Sequence, residues 1–208
     1  MKEVVKDRWE DFHQVKEADN MALEWPDDYV VRYAKRWLKQ VDIRKVLDMN
    51  CGAGRHTALL AELGYETVGC DISEAALQLA RKLLVKRGVQ ASLHQGNSLE
   101  LPFSDISFDA LVAWRSLHVF SFDDIPKVLS EMRRVVRPGG NILFSTRSDR
   151  NIYDETRLST IVHKPTDLTL EQIEALCSGF QVQQIELSEF TANNRQLRDS
   201  YWVVALTR

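Results

Sequence analysis

Residues 45–54, KVLDMNCGAG, constrain this chain more than any other segment. A compact apolar run, KVLDM, ends next to an acid and enters a loop of small residues. The spacing then predicts a helix over 54–63, with Ala58, Leu59, Ala61 and Leu63 on its apolar side and Gly64 just past its end. A strand that turns through small residues into a helix is the opening unit of a parallel sheet, and the alternation repeats. ETVGCD (66–71) reads as a second strand. Ser73 is placed to cap the next helix, where Ala76, Leu77, Ala80, Leu83 and Leu84 recur at helical spacing. Lys86 and Arg87 lie in its last turn and Gly88 closes it. QASLHQ (90–95) and FDALVAW (108–114) are a third and a fourth strand. Over 123–136, Ile125, Val128, Leu129, Met132, Val135 and Val136 step by three and four residues, and Pro138, Gly139 and Gly140 stop that helix. NILFSTR (141–147) is a fifth strand. A capping box, Thr169 with Gln172, opens a helix expected to end at Gly179. FQVQQIEL (180–187) and SYWVVALT (200–207) leave no room for a helix between them. They are expected to pair antiparallel across a long polar connection, 188–199.

The expected fold is therefore α/β: a Rossmann-like, seven-stranded, mostly parallel sheet with an antiparallel C-terminal strand and helices on both faces. The length of 208 residues suits one domain. It divides into an N-terminal helical cap over 1–42 and an α/β core over 43–208. In the cap, Val30, Ala34, Trp37, Leu38 and Val41 form an apolar stripe, preceded by Trp9, Phe12, Trp25 and Tyr29. Two compatible roles follow, packing on the sheet and acting as a lid over a ligand. Residues 148–168 are polar and aperiodic, as functional loops often are.

A formal net charge of -3 leaves no basic stripe of the kind that phosphate contacts require, so nucleic acid is not an expected partner. The richest basic stretch, Arg133, Arg134 and Arg137, reads as the solvated face of a helix. No apolar run approaches the roughly 18–20 residues of a membrane span, and MKEVVKDRWEDF lacks the apolar core of a signal peptide. A cytoplasmic protein with no membrane partner is the expectation. Cys51, Cys70 and Cys177 match neither a disulfide framework nor a zinc pattern, and no metal is expected.

The chemistry concentrates after the first two strands. In doubly wound sheets ligands bind beyond the carboxyl ends of the strands. There the small residues of 48–54 let backbone approach a ligand, and the following helix start offers free N–H groups. Gly52 and Gly54 supply permissive backbone. Asp71, ending the second strand, holds the position from which an acid accepts ribose hydroxyls. Together these point to an adenosine-containing cofactor. The dinucleotide fingerprint needs a third glycine where Thr57 stands. Asp48 would also repel a pyrophosphate, whereas S-adenosylmethionine (SAM) carries an ammonium and a sulfonium. Charge thus favours SAM over NAD.

VLDMNCGAGRHTALLAELGYETVGCDIS resembles the first two motifs of class I SAM-dependent methyltransferases, VLDLGCGxG…GxDxS. GNSLELPFSDISFDALVAWRSLHVF (96–120) is similar to the family's GDxxxLPFxDxSFDxVxxxxxLHH stretch, and EMRRVVRPGGNILFST (131–146) to its RVLKPGG segment. GRH after the loop is similar to the small type 11 and tellurite-resistance-like members. The resemblance implies SAM as cofactor and S-adenosylhomocysteine (SAH) as product. It places Asp48, Asn50, Cys51, Gly52 and Gly54 against the methionine portion, Asp71 on the ribose and Ile72 on the adenine. Asn97 falls at the adenine amino group with Ser98 and Leu99 beside it, and Trp114 near the transferable methyl. Two positions depart from the family. Asn50 replaces a glycine; asparagine tolerates positive φ, but its side chain projects into or beside the cofactor space. Asn97 replaces an acid and retains a carbonyl oxygen as acceptor.

SAM brings the activated group, so the protein chiefly aligns nucleophile, methyl and sulfur. A base is needed only for a protonated nucleophile, and His118 is the one candidate, beside its reading as a helix-start histidine packed by Leu117 and Phe120. Arg115 either holds an anionic acceptor or points to solvent. Arg55 reaches the SAM carboxylate or a nearby backbone carbonyl, and His56 reads as structural. His13, Arg32, Arg195 and Arg198 are further candidate contacts. The expected function is methyl transfer to a small-molecule acceptor. The alternatives are an RNA or protein methyltransferase and a non-catalytic SAM-binding protein.

Overall fold

Seven strands form one sheet in the order β3-β2-β1-β4-β5-β7-β6. The computed structural model describes residues 6–7, 9–14, 24–37, 40, 42–152, 165–192 and 197–208. The strands are β1 (Lys45–Met49), β2 (Glu66–Asp71), β3 (Ser92–Gln95), β4 (Phe108–Ala113), β5 (Val136–Arg147), β6 (Gln181–Ala192) and β7 (Leu197–Thr207). The helices are α1 (residues 9–14), α2 (Asp28–Trp37), α3 (Arg55–Glu62), α4 (Glu74–Arg87), α5 (Ile125–Val135) and α6 (Leu170–Leu176). β1 pairs parallel with β2 and β4, β2 with β3, and β4 with β5. Only β7 runs antiparallel, between β5 and β6. The order reverses direction at β1, so the crevice between the loops after β1 and β4 is the switch point.

Strand alternation sends side chains to two apolar layers. Leu47, Met49, Leu111, Ala113, Ile142 and Phe144 pack with Ile125, Val128, Leu129 and Met132 of α5 and Ile173 of α6. Val46, Ala110, Val112 and Leu143 pack on the other face with Val30, Ala34 and Trp37 of α2 and Leu59 and Leu60 of α3. Each fully buried side chain of this size contributes about 1.5–3 kcal/mol, which docks α2 onto the sheet. Leu38 and Val41 of the expected stripe lie outside the described residues.

Local signals set several boundaries. Ser73 accepts from Ala76 N–H at 3.1 Å, and Gly88 closes α4 at φ 67°. The capping box of Thr169 and Gln172 is formed in both directions. Its helix, however, ends at Leu176 rather than Gly179. Pro138, Gly139 and Gly140 belong to β5, which starts directly where α5 stops and runs for 12 residues. The strand absorbs the irregular triplet because its register on β4 slips between Phe108 and Ala110. Gly140 lies so close to β4 that a Cβ there would stand 2.5 Å from the Asp109 carbonyl oxygen.

The expected long connection over 188–199 is absent: β6 continues to Ala192 and β7 begins at Leu197. Ser188 pairs with Tyr201 and Phe190 with Asp199, so the polar stretch is a ladder. β6 is the sheet edge, where polar side chains face water without penalty and hydropathy resembles that of a loop.

Candidate functional site

Three residues of the β1 loop take positive φ in alternation: Asn50 at 57°, Gly52 at 53° and Gly54 at 82°. Gly54 precedes α3 without any side-chain cap. A Cβ on it would meet Ala80 Cβ of α4 at 2.7 Å, so only glycine lets the two helices close here. The loop's backbone donors are therefore presented at the start of α3 and at the carboxyl end of the sheet.

Asp71 organises this loop. Its Oδ2 accepts from Gly52 N–H at 2.8 Å and its Oδ1 from Ser73 N–H at 3.0 Å. Burial pushes its carboxyl above the usual range, against the hydrogen bonds and the nearby His13, which pull it down. A carboxylate has room for about four donors, so each oxygen retains capacity beyond its backbone partner. Asp48 is turned inward: Thr57 Oγ1 donates to its Oδ2 at 2.6 Å, and burial raises its carboxyl to about 7. Thr57, at the place of a missing third glycine, thus holds the acid that ends the first strand. Cys51 N–H donates to Cys70 O at 3.0 Å, tying the loop to β2.

The loop after β3 supplies the opposite wall. Ser98 Oγ donates to Asn50 Oδ1 at 2.6 Å. Asn97 Oδ1 accepts from Leu99 N–H at 2.9 Å, so this oxygen serves its own turn, as asparagine side chains do in short loops. That leaves one lone pair for a ligand, fewer than expected. Leu99 packs against the main core and Ile72 O accepts from Gln95 Nε2 at 2.9 Å.

The N-terminal segment reaches this site. A Cβ on Gly52 would meet His13 Cε1 of α1 at 3.7 Å, and Glu10 Oε1 accepts from Ala75 N–H at 2.8 Å. Aromatic edges join Trp9, Phe12 and His13. Arg55 Nη1 donates to Trp25 O at 3.2 Å, the backbone-carbonyl option of its two expected partners. His56 Nε2 accepts from Asp27 N–H at 3.2 Å, and burial holds its pKa well below the ordinary imidazole value. It is a neutral acceptor that fixes the entry to α2.

A second group lies beyond β4 and β5. Trp114 stacks on Tyr29 of α2 with centroids 5.8 Å apart and meets His56 edge-on at 6.4 Å. Arg115 has φ 53°, held there by a hydrogen bond from its N–H to Ser145 Oγ at 2.7 Å. Its guanidinium lies 4.4 Å from the Tyr201 ring centroid and 3.7 Å from Asp199. Arg147 approaches the same ring at 5.7 Å and pairs with Asp167 at 3.3 Å. His118 sits in a 3-10 turn, Leu117–Val119, with its ring 6.1 Å from Tyr201. Among the described residues, Trp114 Nε1, Ser116 Oγ and Thr146 Oγ1 are buried with no hydrogen-bond partner. Sequence reasoning missed Tyr201 and Thr146, whose local motifs carry no sign of a site, and gave Tyr29 only as part of the aromatic surface of the cap. Arg32 lies over Tyr29, Arg198 pairs with Glu189, and Arg195 is outside the described residues.

The arginine run is a partly solvated face whose cations are largely paired within the chain. Arg134 pairs with Glu131 and Asp105, Arg137 with Asp42 and Asp109, and Arg133 lies over Phe180. Among the described residues there is no cluster fit for a metal ion, and no helix is long and apolar enough to cross a membrane.

A family model described as a methyltransferase domain matches residues 46–140, from β1 into β5, and so contains the whole cofactor-side wall. Over that stretch, just under half of the chain, it is similar to a methyltransferase domain. Over 191 residues it is 27% identical to the methyltransferase GfsG of Streptomyces halstedii, covering 84% of this chain and 68% of that one. It is 32% identical to the ubiquinone biosynthesis O-methyltransferase of Alkalilimnicola ehrlichii, over 64% of this chain and 59% of that relative. A demethylmenaquinone methyltransferase of Bacillus velezensis shares 40% identity, but over only 43% of its own length. The chain thus spans from under half to about two thirds of these curated relatives. In fold it is similar to magnesium protoporphyrin IX methyltransferase of Synechocystis with bound SAH, at TM-score 0.74 and 14% identity over the full length of both chains.

Proposed function

We propose that this chain transfers the methyl group of SAM to a small-molecule acceptor bound beyond β4 and β5. The observation that carries this reading is the loop 50–54, whose three positive-φ residues leave an open backbone cradle, with Gly52 N–H anchored on Asp71. A Cβ at Gly52 would meet nothing nearer than His13, so the cradle has room for a ligand if α1 shifts. The site fits SAM: an acid close to the end of each of the first two strands, a glycine loop opening α3, and no third glycine for a pyrophosphate.

Asp71 holds the ribose through the free lone pairs of its carboxylate, and Gly52 and Gly54 approach the methionine portion. Asp48, turned inward on Thr57, keeps the loop in shape rather than facing the ammonium. Ile72, Ser98 and Leu99 flank the adenine, with Asn97 at its amino edge. When bound, SAM supplies the activated methyl group. The protein's part is alignment and the exclusion of water. Trp114, stacked on Tyr29 and met edge-on by His56, is a rigid wall from which the acceptor is aligned. Trp114 Nε1, Ser116 Oγ and Thr146 Oγ1 offer buried polar atoms to the acceptor, and Arg115 offers a cation at its outer edge. His118 takes a proton where the acceptor carries one. The internal ion pairing of Arg134 and Arg137 supports a small acceptor over a polyanion.

Calorimetric titration with SAH, with NAD as control, tests the cofactor. Binding of SAH alone is expected, and binding of NAD alone would overturn the reading. Methyl transfer from labelled SAM to a panel of phenols, carboxylic acids and amines, with bulk RNA included, tests the acceptor. Labelling of RNA alone, weakened steeply by salt, would replace the small-molecule assignment.

A further inference from the structure

Asn50 occupies a position where the family motif has glycine, and its side chain does something glycine cannot. Its backbone is in the left-handed region, which asparagine enters more readily than other residues with a side chain. Its Oδ1 accepts from Ser98 Oγ at 2.6 Å, while its Nδ2 is buried with no hydrogen-bond partner among the described residues. Ser98 is itself only 4% exposed. Asn50 follows β1 and Ser98 follows β3, strands separated in the sheet by β2. The bond therefore ties together two loops that close opposite sides of the crevice above Asp71.

We infer that Asn50 and Ser98 form a polar clamp, which locks the two cofactor-facing loops and presents the Asn50 Nδ2 donor to the cofactor. The inference rests on SAM binding at this crevice. An amide has two faces, and fixing Oδ1 on Ser98 fixes where Nδ2 points. A buried donor left without a partner is costly, so an acceptor on the arriving cofactor that takes this hydrogen bond gains affinity over a site with glycine. Ser98 acts through Asn50 and is a positioning residue. Asn50 is a binding residue.

The test is SAH titration of the wild type, Asn50→Gly, Ser98→Ala, the double variant and Asn50→Asp, with melting temperature measured on each. Glycine suits the left-handed conformation, so Asn50→Gly is expected to melt no lower than wild type and yet bind SAH about tenfold more weakly, the size of one hydrogen bond. Ser98→Ala is expected to weaken binding severalfold, by about half that loss on a logarithmic scale. The double variant should match Asn50→Gly alone, because the serine has nothing left to hold. Asn50→Asp retains the acceptor for Ser98 and removes the donor, so it should also bind more weakly. The clamp is overturned if Asn50→Gly binds SAH as tightly as wild type, if the two single losses add, or if Asn50→Asp binds at least as well as wild type. Failure of the wild type itself to bind SAH would instead overturn the cofactor reading on which the clamp rests.

Discussion

The two halves of the proposed site, one for the cofactor and one for the acceptor, are built differently. The cofactor half, at the ends of β1, β2 and β3, is mostly backbone: N–H groups of Gly52 and Ser73 on one carboxylate, and a loop that only small or left-handed-tolerant residues can follow. The acceptor half, beyond β4 and β5, is mostly side chain: Trp114 on Tyr29, and Arg115 and Arg147 on Tyr201. The first half is continuous over about a quarter of the chain. The second draws on α2, β4, β5 and β7, from residue 29 to residue 201. Backbone recognition suits a ligand whose structure does not vary. Side-chain recognition can be changed one residue at a time, which suits an acceptor that differs between relatives.

The largest effect expected on this contrast is at Gly54. Gly54→Ala combines φ 82° with a Cβ 2.7 Å from Ala80 Cβ. Left-handed strain of about 1–2 kcal/mol and overpacking of about 1–3 kcal/mol should lower stability by about 2–5 kcal/mol and weaken SAH binding with it. Chemical denaturation measures the first; an unchanged midpoint would mean that the loop is not tightly packed on α4.

Next comes a pair of opposed pH dependences. Asp48 has its pKa raised to about 7, so its contribution to stability is full below the ordinary carboxylate value of about 4 and is lost as pH rises toward 7. His56 has its pKa lowered, so its contribution is full above about 6.5 and is lost as pH falls. Between about pH 4 and 6.5 the two slopes oppose and largely cancel. Asp48→Asn should therefore expose a stability that rises with pH, and His56→Gln one that falls, each by up to about 1.4 kcal/mol per pH unit. Urea titrations across that window check both, and slopes of the same sign would break the assignment.

Asp71→Ala should cost about 1.5–3 kcal/mol of SAH affinity, as for hydrogen bonds to a charged group. Calorimetry on the folded variant decides; an unaltered dissociation constant would remove Asp71 from the ribose. The smallest stability change is expected for Arg115→Ala. Its pair with Asp199 is exposed, and loss of such a pair costs under about 1 kcal/mol. SAH affinity should stay at the wild-type value while KM for an anionic acceptor rises. A weakened SAH affinity would place Arg115 in the cofactor half.

Legibility in the sequence follows the same division. Ser73, Gly88 and the Thr169–Gln172 box act through neighbours within a few residues, so local sequence spelled them out. The end of α5 was legible in the same way. The β5 start at Val136 was not, because Pro138, Gly139 and Gly140 normally interrupt a strand, and only the slipped register on β4 accommodates them. The antiparallel pairing of β6 and β7 was expected, but its extension over 188–199 was hidden for a related reason: an edge strand has no hydropathy signature of its own. Asn50 was legible as a departure from the motif, but its bond to Ser98 joins residues far apart in the chain.

The sequence by itself determined the alternation of strands and helices, the small-residue loop after KVLDM, and the two acids that favour SAM over a dinucleotide. These depend on periodicity, caps and charge, which act over one or two turns of chain. Only the tertiary structure decided that Asp71 is already engaged by the loop, that Asp48 turns inward to Thr57, that Asn97 serves its own turn, and that Asn50 closes on Ser98. Each of those is a competition among partners for one polar atom. Such a competition is settled by which groups the packed sheet brings within hydrogen-bond reach, and residue order alone does not specify that.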